Sequence, residues 1–256
     1  MIYLKTYVYA PHEIDFVILN LLEAYPHIDK FIVCEFNRKH TGHPKDFIFE
    51  GLLNMVPTDI ADKLAYFKCD ISKEAVFADT NEDAIHRVNE PLMRTYFTRC
   101  MPFNGDDVVI SIDADEIIYG HIYPDLLDHV WEHGSGVLQL HQFMYKPTYL
   151  WKDHPFVAPT AALYRVGHTW RYEGTVFPTV AGCHFSWCMS VDAMIEKLFS
   201  YSHPQYRFCA NRQLLEDAIR EKTYPFDPTT PFTIEEIPLS SPLLPAFTSK
   251  VFHDPA

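Results

Sequence analysis

The sequence predicts an α/β protein with a mostly parallel sheet and a smaller antiparallel part. Three observations carry that prediction. Apolar, β-branched runs alternate with stretches of helical periodicity through the first half of the chain, the signature of strand–helix–strand units. The run "VVISIDADEII" (108–118) is near-continuously apolar before it turns acidic, as strands buried on both faces of a parallel sheet are. Beyond residue 134 the pattern changes to longer stretches that read as antiparallel strands.

The elements follow in order. "IYLKTYVYA" is a strand, and "PHEIDFVILNLLEAYP" is a helix with Ile14, Val17, Ile18, Leu21 and Leu22 on one face. "KFIVCEFN" and "LAYFKCDI" are the second and third strands. "TNEDAIHRVNEPLMRTYFTRCMPF" is long and helical, with Pro91 starting a new helix or kinking the old one. The carboxylate-bearing run 108–118 is the next strand. "GVLQLHQFMYKPTYLW", "TAALYRVG" and "TVAGCHFSW" read as antiparallel strands, "VDAMIEKLFSYSH" and "LLEDAIREK" as helices. Seven of the nineteen prolines lie beyond Thr223, which predicts an extended tail packed on the body. The organisation is therefore one domain over 1–222 and a Pro-rich tail over 223–256.

Composition narrows the function classes. With 48% hydrophobic and 21% charged residues, the chain is globular. A net charge of −13 argues against a nucleic-acid binder, which needs a basic face. The six cysteines form no C-x-x-C pair and several lie inside apolar patterns, so free buried thiols in a reducing compartment are expected. No N-x-[ST] sequon, signal peptide or transmembrane run is present, and the expectation is a soluble, cytoplasmic chain.

Carboxylates are costly to bury unless paired or bound to a metal. Asp113 and Asp115 end an apolar run, and alternation along a strand would point both to one side, where a hard divalent cation, Mg²⁺ or Mn²⁺, could bridge them. A strand-end loop with capping acids is the bland alternative. A metal-dependent phosphatase or phosphotransferase also uses an apolar strand and Asp-x-Asp, although such a motif usually opens its domain. In "CEFNRKHTGHPKDFIFE" (34–50), Glu35 and Asn37 suit a nucleobase or ribose, and Arg38 or Lys45 a phosphate, against an ordinary solvated turn. In "GCHFSWCMSVDAMIEKLFSYSH" (182–203), His184 is a metal ligand or a core histidine. Trp187 stacks on a sugar or packs, and Asp192 lies where helix capping is a sufficient explanation. No Gly-rich phosphate loop is present.

Together, "EIDFVILNL", "FIVCEFNRKHTGHPKDFIF", "EPLMRTYF", "DDVVISIDADEI" and "AGCHFSWCMSVDAMIEKLFSYSH" resemble glycosyltransferase family 17, the family of the bisecting N-acetylglucosaminyltransferase. The segments keep the family's order over roughly residues 13–203. "EPLMR" keeps Glu90 and Arg94 of a family pattern, and His40 stands where an aromatic or Thr is usual. The resemblance implies a GT-A fold and inverting transfer from a UDP-sugar, with N-acetylglucosamine as the sugar. The acceptor would be a glycan, a lipid-linked sugar or a protein. It implies Mn²⁺ or Mg²⁺ on Asp113 and Asp115, with His184 as third ligand, and donor contacts from Glu35, Asn37, Lys45, Arg94 and Asp113. Asp192, then Glu173, are the candidates for the general base, and Trp187 and His203 face the acceptor, with His203 the alternative to His184 as third metal ligand. A non-catalytic sugar-binding relic is the remaining alternative.

Overall fold

The computed structural model describes residues 1–78 and 81–252. The described residues form nine strands: β1 (Ile2–Val8), β2 (Lys30–Phe36), β3 (Leu64–Cys69), β4 (Val108–Ser111), β5 (Glu116–Ile118), β6 (Ser135–Met144), β7 (Tyr149–Leu163), β8 (Thr175–Ser186) and β9 (Ile234–Glu236). They belong to one sheet in the order 3-2-1-4-7-6-8-5, with β9 added to β7.

The first half is parallel. β1 lies between β2 and β4, and β3 extends the row beyond β2. Parallel strands need crossover segments, and these cover both faces. Helix Ile14–Ala24 buries Phe16, Val17, Leu19 and Leu21 against Leu4, Phe31, Val33 and Ile110. On the other face Met93 and Phe97 pack against Tyr3, Tyr7, Ile32, Cys34 and Val109. Side chains of β1 therefore alternate between two cores, Leu4 to one and Tyr3 and Tyr7 to the other, as strand geometry requires. Each fully buried aliphatic or aromatic side chain contributes roughly 1.5–3 kcal/mol before entropy is counted.

The second half is mixed. β4 pairs antiparallel with β7, β7 with β6, and β5 with β8. Three sequence expectations change here. The fragments read as separate strands around residues 149–163 are one long strand, β7, with Pro155 inside it. That proline is in an exposed stretch where β6 shifts register, so its missing N–H breaks no regular ladder. β6 also pairs parallel, not antiparallel, with β8. Finally, the run 108–118 is two strands, and Asp113 and Asp115 lie in the turn between them. Gly182 lets that turn settle: a Cβ there would strike the Ile117 carbonyl oxygen, directly across the β5–β8 pair.

The long helix expected from residue 80 is segmented, and Thr80 lies outside the described residues. Helix Glu82–Ala84 passes into a π turn, Ile85–Asn89, then helix Glu90–Thr95 and a 3-10 turn, Tyr96–Arg99. The Glu90 N–H donates to Ile85 O, five residues back. Pro91 explains the widening. It has no N–H to give, and its ring would clash with the carbonyl four residues earlier in a regular helix.

The tail packs on the body. β9 joins β7, Leu244 and Thr248 are buried, and helix Thr248–Val251 sits near helix Ile14–Ala24. Residues 253–256 of the expected tail lie outside the described residues. All six cysteines are free. Among the described residues no helix is long and apolar enough to cross a membrane.

Candidate functional site

A cavity of about 390 Å³ opens beyond the carboxyl ends of β1 and β4, where open α/β sheets gather ligands. The turn 113–116 forms its floor. Its shape is set reciprocally: the Glu116 N–H donates to Asp113 O (3.1 Å), and the Asp113 N–H donates to Glu116 Oε2 (2.7 Å). Glu116 is fully buried, and its carboxylate also takes Arg171 Nη1 at 2.8 Å. Its Oε1 lies 2.7 Å from Arg171 Nη2 in an ionic contact. Burial pushes the Glu116 carboxyl up from its ordinary value, and Arg171 opposes that shift.

Asp113 is held by two guanidinium groups. Arg94 donates to both its oxygens (2.7 and 3.3 Å), and Arg171 lies 3.2 Å away. Burial alone would raise the Asp113 carboxyl, but Arg171 and Arg94 hold it well below the usual range. Arg94 is in turn bound by Glu90 at 2.7 Å, one helical turn before it. The π turn ends at Asn89, so the widened backbone immediately precedes this Glu90–Arg94 pair.

Asp115 faces a different set of partners. Lys197 Nζ, from helix Val191–Ser200, lies 3.4 Å from Oδ2, and His184 Nε2, from β8, lies 3.8 Å from Oδ1. Burial lowers the His184 imidazole to about 4, so it is neutral at pH 7. Its Nδ1 is buried with no hydrogen-bond partner among the described residues. Beyond it the wall turns aromatic. Trp187, Tyr201, Tyr206, Tyr224 and Phe226 line one side. Trp187 adopts φ 59°, a strained backbone for a bulky residue, with Lys197 5.1 Å from its ring centroid.

Two further groups line the cavity near β1. Glu13 Oε2 accepts the Tyr9 and Ala10 N–H groups, and burial raises this carboxyl to about 8. Among the described residues it is the cavity carboxylate with no ion-pair partner within 4 Å. Lys5 lies behind the cavity wall, fully buried, and burial followed by repulsion from Arg94 lowers it to about 7.

The sequence candidates divide accordingly. Arg94, Asp113, Asp115, His184, Trp187 and His203 all line the cavity. Glu35, Asn37 and Lys45 do not. The Glu35 carboxylate is filled by Lys45 (2.8 Å), the Ile48 and Phe49 N–H groups and the Tyr66 hydroxyl. Burial opposes ionisation there, but those bonds hold Glu35 below its ordinary value. Asn37 ties Asp70, Ser72 and Ile71 together. These three residues build the β2 loop. Asp192 lies outside the cavity, its side chain 79% exposed and paired with Arg212, while Ser190 caps the helix. Glu173 also lies outside, accepting the backbone N–H groups of His168, Thr169 and Trp170. Sequence reasoning missed Arg171 and Glu13, since a lone Arg in a loop and an acid at a helix start carry no distinguishing pattern.

The premise that one strand aligns Asp113 with Asp115 does not hold, and the donor set for a divalent cation changes with it. Asp113 has committed both oxygens to arginines, whose charge disfavours a second cation. Among the described residues Asp115 has one cationic partner, Lys197 at 3.4 Å from Oδ2, and turns Oδ1 toward the neutral His184, so this pair is the freer place for Mn²⁺ or Mg²⁺.

The cavity carries guanidinium groups at one end, aromatic faces at the other, and carboxylates between. A search of curated proteins returned no match. A family model, glycosyltransferase family 17, matches residues 6–223, a span that takes in the Asp113 turn, both arginines, His184, Trp187, Tyr201 and Tyr206. With most of its length matched, this chain belongs to glycosyltransferase family 17.

Proposed function

We propose that this glycosyltransferase is a GT-A-type, inverting enzyme that moves N-acetylglucosamine from a UDP-sugar to a hydroxyl of a glycan, lipid-linked or protein acceptor. The observation that carries the reading is the convergence of Arg94 and Arg171 on Asp113 in a cavity whose opposite wall is aromatic. Planar guanidinium groups match phosphate oxygens in pairs, and a sugar ring lies well on an aromatic face.

Charge supports a requirement for Mn²⁺ or Mg²⁺. Arg94, Arg171 and Lys197 face Glu90, Asp113, Asp115 and Glu116, so no positive charge is left in surplus for a diphosphate. A divalent cation on Asp115 and His184 would supply Lewis-acid neutralisation of the leaving group. The chain's own residues do the rest. Arg94 and Arg171 orient the diphosphate. Trp187 and the neighbouring tyrosines exclude water and hold the rings. Glu13 is the proposed general base in place of Asp192 and Glu173. As the acceptor oxygen bonds to the anomeric carbon, its proton passes to the Glu13 carboxylate, and UDP departs with the electron pair of the broken bond.

The test is a panel of UDP-, GDP- and CMP-sugars on the full chain, with and without Mn²⁺, read by thermal shift and by nucleotide release. UDP-N-acetylglucosamine with Mn²⁺ is expected to give the largest stabilisation, on the order of 2.7 kcal/mol at a hundredfold excess over Kd. A preference for GDP- or CMP-sugars, or phosphate release from simple phosphomonoesters, would overturn the donor assignment.

A further inference from the structure

Three thiols meet on the face of the sheet opposite helix Ile14–Ala24. Cys34 is on β2, Cys69 ends β3, and Cys100 follows the 3-10 turn Tyr96–Arg99. Their sulfur atoms all lie within 4.8 Å of one another, and no other set of three metal-ligating side chains among the described residues is gathered so closely. None is disulfide-bonded. Apart from hydrogen bonds among the three thiols themselves, Cys69 and Cys100 make long local contacts, to Phe67 O (3.6 Å) and Tyr96 O (3.7 Å).

Free cysteines do pack as small apolar residues, and two of these are buried in the Phe36–Phe97 core. Packing alone does not require three from three separate elements to converge. Metal binding does. Three sulfurs at about 2.3 Å from one ion stand about 4.0 Å apart in a plane, within reach of the spacing here. A second observation points the same way. Lys5 Nζ is buried without a hydrogen-bond partner, on the same face of β1 as Tyr7, whose register partner is Cys34. A divalent ion on three thiolates carries one net negative charge, which a buried ammonium on that face offsets.

We propose that Cys34, Cys69 and Cys100 bind one soft d¹⁰ cation, Zn²⁺ or Cu⁺. The three thiols give up their protons to solvent on binding, and no electron transfer is involved. The ion would join β2, the end of β3 and the segment entering β4 behind the Tyr7 wall of the cavity. The site is separate from the oxygen-rich Asp115–His184 pair, because soft cations select sulfur and hard ones select oxygen.

The full chain, reduced and kept anaerobic, is titrated in separate arms with Zn²⁺, with Cu⁺ under a competing chelator, and with Cd²⁺ as a spectroscopic probe. One equivalent is expected to bind, with a thiolate charge-transfer band for Cd²⁺ or Cu⁺ and a rise in Tm. The arm with the tighter Kd identifies the ion. Cys100→Ser, at the half-buried ligand, should weaken binding at least ~10-fold, while Cys183→Ser should not. Should Cys34→Ser or Cys69→Ser fail to fold, the wild-type chain still decides the matter: bound Cd²⁺ must protect Cys100 from alkylation. Absence of a charge-transfer band, equal affinity in Cys100→Ser and wild type, or unprotected alkylation of Cys100 would each refute the site.

Discussion

Replacing Arg171 by Met tests the electrostatics of the cavity floor most directly. Methionine keeps an apolar stem of similar length but removes the guanidinium. The structure says what is lost: contacts at 2.7 and 2.8 Å to a fully buried Glu116, and one at 3.2 Å to Asp113. Asp113 retains Arg94, but among the described residues Glu116 has no other cationic partner within 4 Å. Breaking a buried pair from one side costs about 3–5 kcal/mol, because the remaining charge stays desolvated. We therefore expect Arg171→Met to lose about 3–5 kcal/mol at pH 8 in urea unfolding followed by tryptophan fluorescence.

The sign of the pH dependence follows. Without Arg171, burial acts on Glu116 with its main opposition gone, so its folded pKa rises further above the unfolded value. A group raised in the folded state stabilises at low pH and loses that contribution as pH rises. The deficit of the variant relative to wild type should accordingly shrink between pH 8 and pH 5. Arg171→Met/Glu116→Gln should recover stability to within ~1 kcal/mol of wild type, since the neutral amide put in place of the carboxylate can still accept the Asp113 N–H. It should not recover transferase activity, because the guanidinium proposed for the diphosphate is still absent. A loss below ~1 kcal/mol in the single variant, or a double variant no better than the single, would refute the reasoning.

Other expectations are briefer. Glu13→Gln should fold, bind UDP normally and transfer sugar at least ~100-fold more slowly, abolishing the rise in wild-type rate through about pH 8; unchanged kcat removes Glu13 as base. Glu173→Gln should lower kcat through the Arg171 loop, and Arg171→Met made on top of it should add little; independent losses would show that the two residues do not act together. Burial lowers His40 to about 4, so its folded form binds fewer protons than the unfolded chain between about pH 4 and 6.5, and stability falls as the medium is acidified through that window. His40→Phe should remove on the order of 2 kcal/mol of that loss at pH 5, with little change at pH 8; parallel pH–stability curves for the two proteins would contradict it.

The parallel half was legible because its evidence is local. Each apolar run and each helical stripe reports its own burial, and β1, β2, β3 and helix Ile14–Ala24 lie where those patterns put them. The second half was less so. Whether β6 meets β8 in parallel or antiparallel sense depends on partners forty residues apart, and nothing in either strand encodes the direction. The split of 108–118 was hidden for another reason. Its apolar pattern continues across the turn, and only the Glu116 carboxylate catching the Asp113 N–H shows that the backbone reverses. Pro91 did signal an irregular helix, and the π turn ahead of it is the form that irregularity takes.

The site shows the same division between local and assembled information. Asp113, Arg94 and His184 carry short patterns and reach the cavity. Arg171 carries none, yet it is the cation that completes the floor. It sits between Trp170 and Tyr172, both with left-handed backbones at φ 61° and 58°, a conformation unfavourable for aromatic residues. Something must hold that loop, and Glu173 does so by gathering the N–H groups of His168, Thr169 and Trp170 on one carboxylate. Burial works against ionising Glu173, but those backbone bonds win and hold its pKa below the ordinary value. Gly174 follows at φ 103°, where a Cβ would meet Ser135 Oγ at 2.5 Å and the backbone beyond it, so the loop closes only with glycine. An acid that sequence reasoning nominates for proton transfer is thus committed to the loop: its carboxylate accepts from three backbone amides, two residues after the arginine that faces the turn at Asp113.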